Sequence, residues 1–350
     1  MIARTRKGLR RHPVRTGVVL AGCALITAVA LANTVDAVRY LRFRTALDVA
    51  PAVASGGRRI DAGWTFRFVQ GRYRVSVAVD EAELAAARAV DTDPVFGSRG
   101  WLRQRCVADI VRAESETRLI EELAGEFRRI RDLRQLTDDE YLELITSAVQ
   151  QIPYARASRG LQLPAEVLAS GVGICTDKSL LLGSLLLHEG YDTVLFVFER
   201  PSHVALGVAS NGARFHGTRY AFVESTVPRF IGQAGPEYRA RGPITGSPQS
   251  IALGGWRSYG SGHEVDVILD ELGRARRVQT AWLRRSRSIG DGETEPRVVR
   301  EEIEDWVARA MTSFILANTH DRGNVYAMLR GQGAGPPGSY GSGRSDGSAQ

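Results

Sequence analysis

Cysteine is scarce: the 350 residues contain three, at positions 23, 106 and 175. Three cysteines do not make the disulfide framework that holds small secreted domains together. No Cys-x-x-Cys or His-x-x-x-His element occurs, so a Cys/Asp/His metal site lacks the ligand spacing that would recommend it. A Walker loop and a Rossmann fingerprint, with its strand before and helix after, are absent as well. A large excess of positive charge is also missing from most of the chain. The formal net charge is +7, but residues 1–15, MIARTRKGLRRHPVR, hold six Lys/Arg and no acid, which leaves the rest one charge from neutral. A nucleic-acid partner therefore loses its main support. Disorder is excluded too, because 43% hydrophobic and 24% charged residues suit one large core or two modest ones.

The basic head leads straight into twenty uncharged residues, Thr16 to Val35. As a helix these would span roughly 30 Å, the thickness of a bilayer core. Residues 16–35 are expected to be a transmembrane anchor. Ala30-Leu31-Ala32 resembles a cleavage site, so a secretory signal is the rival, and a buried soluble helix is a third reading. Anchor and signal agree on destination, since the positive-inside rule keeps residues 1–15 in the cytoplasm and puts everything after Val35 outside. The expected localisation is a single-pass membrane protein with an extracytoplasmic domain, or a secreted one.

Residues 36–60 are mixed and end in SGGRR, a linker pattern. Then Trp64, Phe66 and Phe68, and after them Tyr73, Val75, Val77 and Val79, alternate around Gln70-Gly71 as a hairpin with one buried face. From Asp80 the period turns helical, through DEAELAAARAV, LIEELAGEFRRIRDL and LTDDEYLELITSAVQQI. The last carries Thr137 and Glu140 as a capping box and is closed by Pro153. A further helix begins near Cys175. Its stripe of Leu180, Leu181, Leu182, Leu185, Leu186 and Leu187 is too wide for a surface helix, and Gly190 supplies the stop. Three strand-like runs come next, DTVLFVFE, SHVALGVA and RYAFVEST. The expected class is α+β, a cysteine-bearing helix packed on an antiparallel sheet. Past Gly232 come a loop and helical stretches at 264–285 and 296–317, so 236–330 reads as a helical extension. Residues 331–350 form a Gly/Ser-rich tail without enough apolar surface to order itself. The stretch RARRVQTAWLRRSRS, Arg274 to Ser288, suits either an anionic membrane surface or a helix with paired, solvated arginines.

Cys175 is the residue with chemical promise. A helix N-terminus offers partial positive charge and unpaired N–H groups, which favour a thiolate. Gly171 and Gly173 before it would leave room for a substrate carbonyl and oxyanion donors. The plain alternative is a small buried cysteine, and a bridge from Cys175 to Cys106 would consume the thiol. A thiol nucleophile also needs an imidazole and a carboxylate that fixes its tautomer. His203 begins one strand-like run and Glu224 lies inside another, so neighbouring strands would hold both side chains on the face toward the cysteine helix. Glu199 is a rival acid and His263, in a Gly-rich loop, a rival imidazole. His12, His188 and His216 suit the task poorly, His188 because it lies about three turns along the cysteine's own helix.

The segments LPAEVLASGVGICTDKSLLLGSLLLHEGYDTVLF, SHVALGV and YAFVEST resemble the transglutaminase-like superfamily of papain-like thiol enzymes, particularly its prokaryotic membrane-associated members. The likeness runs over roughly residues 60–235, including GWTFRFVQGRYRVSV and AVQQIPY, and implies a transglutaminase-like domain over 61–235. It implies Cys175 as nucleophile, His203 as base and Glu224 as orienting acid in thioester chemistry on amides of a protein or peptide substrate, without metal or cofactor. Two departures stand out: Glu224 where aspartate is frequent, and Thr176 where an acid usually succeeds the cysteine, leaving Asp177 as a helix-capping carboxylate. Peptidase, deamidase and cross-linking activities all fit this pattern. A fold kept only as a scaffold for cell-surface partners is the non-enzymatic alternative. Nothing in the sequence sets the oligomeric state.

Overall fold

The computed structural model describes residues 13–49, 57–69, 71–97, 100–157, 160–199, 202–234, 246–263 and 265–266, with side chains in the first helix from residue 28 onward. The tail at 331–350 and nearly all of the two helical stretches expected at 264–285 and 296–317 lie outside the described residues, as does the arginine-rich run at 274–288.

The chain begins with α1 (Pro13–Val49), then forms the hairpin β1 (Arg59–Phe68) and β2 (Gly71–Asp80). Helices α2 (Glu81–Ala89), α3 (Asp93–Gly97), α4 (Trp101–Ser115), α5 (Arg118–Arg134), α6 (Asp138–Gln150), α7 (Pro164–Ser170) and α8 (Cys175–His188) come next. Strands β3 (Thr193–Phe198), β4 (His203–Ala209), β5 (Tyr220–Val223) and β6 (Gln249–Gly254) complete the order. The class is α+β: a two-stranded antiparallel sheet and a four-stranded antiparallel sheet in the order β5-β4-β3-β6.

The hairpin buries the alternating face expected of it, with Phe66, Phe68, Val75, Val77 and Val79 inside. Helix α6 opens on the capping box: Thr137 Oγ1 accepts from Glu140 N, and the Glu140 carboxylate accepts from Thr137 N. Helix α8 is the centre of the molecule. Its Leu180, Leu181, Leu182, Leu185 and Leu186 are fully buried, each contributing roughly 2 kcal/mol through its transfer from water. The helix packs on β3 and β4 on one side and on α4, α5 and α6 on the other. At Gly183 the helix faces Leu253, Val111 and Leu206, which a Cβ there would meet at ordinary contact distance. The chain leaves α8 at Gly190, in a left-handed conformation with φ 81.

Two expectations of organisation change. The stretch 36–60, expected as a linker, is helical as far as Val49, and Phe43 and Leu47 sink into the main core. Tyr40 Oη donates to Asp109 Oδ2 at 2.6 Å beside them. Tyr40, Phe43 and Leu47 recur at helical spacing, so this end of α1 has an apolar face of its own. The core also continues beyond 235: Ile251 and Leu253 of β6, Tyr259 and Val265 join the same cluster. The span 61–235 is therefore too narrow for the folded unit at both ends. The apolar segment 16–35 lies within α1, but its side chains up to residue 27 are outside the described set. Among the described residues no helix is long and apolar enough to cross a membrane.

Candidate active site

Three elements end at one corner of the larger sheet. Helix α8 starts there with Cys175, β4 starts there with His203, and β5 stops there with Val223, leaving Glu224 as the next residue. Antiparallel pairing of β4 with β5 puts the start of one beside the end of the other. The three residues singled out in the sequence are thus neighbours by topology.

His203 and Glu224 are buried, 3% and 2% exposed, and His203 Nε2 lies 3.2 Å from Glu224 Oε2. An ionised carboxylate only accepts, so Nε2 carries a proton toward Glu224. Cys175 is half-buried at the start of α8, near enough to the same imidazole for His203 to act on its thiol. With Nε2 taken, Nδ1 is the nitrogen left for the sulfur. The other Glu224 oxygen, Oε1, accepts from Ser225 N at 2.9 Å, Thr226 N at 2.9 Å and Thr226 Oγ1 at 2.6 Å. Those bonds fix the carboxylate before any charge forms on the ring.

These contacts set the electrostatics. Burial pushes the Cys175 thiol up, but the hydrogen bond and charge of His203, with smaller help from Val204 N–H and the Thr176 hydroxyl, outweigh it, and the thiol lies below its usual value. Burial pulls the His203 imidazolium down, yet its bonds to Cys175 and Glu224 win and raise it to about 9. Glu224 is pushed up by burial and brought below the ordinary carboxylate range by His203 and Thr226. Both shifts run in the direction that favours a thiolate–imidazolium pair. Cys106 is the contrast: buried in α4, it is pushed up to about 12 by burial and by Asp109 and Asp91. Both of these cysteines are free thiols, so no bridge consumes Cys175.

Helix α8 is capped by its own third residue, as Asp177 Oδ2 accepts from Ile174 N at 3.0 Å and Oδ1 from Gln162 N at 3.1 Å. The glycines before it have reasons other than substrate access. Gly171 closes α7 in a left-handed conformation, and a Cβ on Gly173 would press on Lys178 Cγ at 3.2 Å and Asp177 Cβ at 3.3 Å. The expectation that His203 and Glu224 lie on the sheet face toward the cysteine helix also changes. By strand alternation both share the face of Ala205 and Phe222, and the His203 ring stacks on Phe198. The first turn of α8 nevertheless lies against these strand ends, as Ser179 Oγ donates to Val204 O at 3.2 Å and Ser225 Oγ to Cys175 O at 3.4 Å.

The rivals are elsewhere. Glu199 is exposed beyond β3, and His263 is exposed and paired with Asp266. His188 bonds Ser115 O and Glu121, and His216 sits in a surface turn. Sequence reasoning missed the support beneath the site: Gln150, Lys178, Ser179, Ser225 and Thr226, all buried. Ser225 Oγ bonds Ser179 Oγ at 2.9 Å and reaches Cys175 O at 3.4 Å. Gln150 Nε2 donates to Glu224 O at 2.8 Å. The one signal in the sequence was a lysine inside an otherwise apolar helix, in CTDKSLLL. Among the described residues no group of three His, Cys, Asp or Glu is placed to hold a metal ion. Set against protein-family models, curated proteins and solved structures, the chain matches none.

Proposed function

We propose that this chain is a membrane-anchored, extracytoplasmic thiol enzyme of transglutaminase-like type that acts on amide bonds by acyl transfer through Cys175. The observation that carries the reading is the buried His203–Glu224 pair, 3.2 Å apart, beside the start of the helix that bears Cys175, with the thiol lowered and the imidazole raised.

Proton positions dictate the chemistry. The Cys175 thiolate attacks an amide carbonyl of a protein or peptide, forming the S–C bond and an oxyanion. First-turn N–H groups of α8, which have no intrahelical partners, stand at that end of the helix to receive the negative charge. The His203 imidazolium gives its proton to the leaving nitrogen as the C–N bond breaks, and a thioester remains. Water or an amine then attacks, with neutral His203 taking its proton, and Cys175 leaves as thiolate. Which acceptor wins sets the outcome as hydrolysis, deamidation or cross-linking, and depends on water exclusion over the thioester.

Support for the anchor is the apolar segment inside α1 together with exposed Val29, Leu31, Val35, Val38 and Leu41 along it. The basic head then orients the domain outward.

The test is a screen of amide substrates with mass-spectrometric detection of a thioester on Cys175. Wild-type chain should give the adduct and turnover, and Cys175→Ala neither. Turnover by Cys175→Ala overturns the mechanism, and full biological complementation by that variant favours a scaffold instead.

A further inference from the structure

We propose that Lys178 is a positioning residue of the thiol site: a buried cation that locks the Glu224 turn against the cysteine helix and balances the Glu224 charge throughout acyl transfer. The inference rests on the thiol-enzyme reading above.

Lys178 lies one turn beyond Cys175 in α8 and is wholly buried. A lysine in such a place is costly unless every donor is used. Here they are. Nζ donates to Gln150 O at 2.9 Å, Ile152 O at 2.8 Å and Thr226 O at 3.2 Å. Three acceptors need three N–H bonds, and a neutral amine has two, so the geometry is that of the ammonium. Two of the acceptors are carbonyls at the end of α6, where the helix dipole is negative and a cation is favoured. The third belongs to Thr226, whose own N and Oγ1 hold Glu224 Oε1. Gln150 closes the circuit, since its Nε2 donates to Glu224 O and to Arg229 O. The ammonium thus ties the carboxylate-bearing turn, the end of α6 and the first turn of α8 into one unit.

Charge gives the tie a role in the reaction. At rest the site holds a thiolate, an imidazolium, a carboxylate and an ammonium, which sum to zero. In the thioester the imidazolium has passed its proton to the leaving amine, and carboxylate and ammonium still sum to zero. Without Lys178 each state carries an uncompensated buried negative charge. Burial would bring Lys178 down to about 7 against the pull of Glu224, but three carbonyls that only an ammonium can satisfy together hold the proton on Nζ. The attraction to Glu224 is mutual, so the ammonium favours ionised Glu224 when His203 is neutral. Other acids on the neighbouring elements are engaged elsewhere. Asp177 accepts from Ile174 N and Gln162, Glu166 of α7 from Leu163 N, and Glu143 of α6 from Tyr259 Oη.

The experiment is the rate of Cys175 alkylation by iodoacetamide against pH, in the full chain and in Lys178→Met, with thermal melts of both. Removing a nearby cation makes a thiolate harder to form, so the acid limb should move up by about one unit, a roughly tenfold slower reaction below both limbs. A depressed wild-type limb that Lys178→Met leaves in place, whatever happens to the melt, overturns this proposal alone. A wild-type limb at the free-cysteine position overturns the thiol-enzyme reading and this proposal with it. Should Lys178→Met fail to fold, nitrogen NMR of lysine-labelled wild-type chain decides. Lys178 must stay an ammonium wherever Cys175 is a thiolate, and an Nζ that loses its proton inside that range overturns the assignment.

Discussion

Replacing Glu224 by glutamine keeps its shape and removes its charge, and the hydrogen bonds around it dictate the effect. The turn offers three donors to Oε1, from Ser225 N, Thr226 N and Thr226 Oγ1. In Glu224→Gln the amide oxygen must stay there, which aims the NH₂ at His203 Nε2. Two donors then face each other, and the ring relieves this by moving its proton to Nδ1. That tautomer has no lone pair for the thiol. The imidazolium also loses a carboxylate 3.2 Å away, an attraction of about 5 kcal/mol at an effective dielectric constant near 20. His203 should fall below its wild-type value of about 9, because burial pulls it down and only Cys175 is left to hold it up. Each unit of that fall is about 1.4 kcal/mol, or roughly tenfold in the thiolate–imidazolium population. The assay is an NMR titration of the His203 ring in wild type and Glu224→Gln, with thioester formation measured in parallel. A ring that still titrates near 9 in the variant refutes the reasoning.

Phe43→Ala tests whether the end of α1 belongs to the folded unit. Phe43 is 1% exposed, so its truncation should cost about 3 kcal/mol in denaturant unfolding of the domain, and a passive linker would show no change. Glu114→Gln tests a second buried acid. Burial, with Glu83 and Glu166 nearby, raises Glu114 from 4.5 to about 8. The folded state binds this proton more tightly than the unfolded one, so stability is full below 4.5 and falls as pH rises toward 8. Glu114→Gln should therefore gain on wild type, on the order of a few kcal/mol, as pH rises through that window; a difference independent of pH would contradict it.

The sequence shows some of this more readily than the rest, for physical reasons. Alternation in β1 and β2, the capping box of α6 and the leucine stripe of α8 are local signals, and each matches an observed element. Strand β6 reads as loop in the sequence because only Ile251 and Leu253 point inward, among serine, glutamine and glycine. Its place at the sheet edge comes from pairing with β3, which no local pattern records. Cys175, His203 and Glu224 were legible as a group because the local patterns place one at a helix start and the others in strand-like runs, and the fold brings their ends together. Lys178 was not, since its meaning depends on three carbonyls, from Gln150, Ile152 and Thr226, that meet only in the fold.

The central claim is that Cys175 is an activated thiol. Its most direct measurement is site-resolved mass spectrometry of iodoacetamide labelling against pH in the folded chain and in His203→Ala. In the folded chain Cys175 should react with a limb well below its ordinary value of 9.0, while buried Cys106 stays silent. In His203→Ala the low limb should vanish, since burial then acts without the imidazolium that opposes it. A wild-type limb at or above 9.0, or one that His203→Ala leaves in place, contradicts the account.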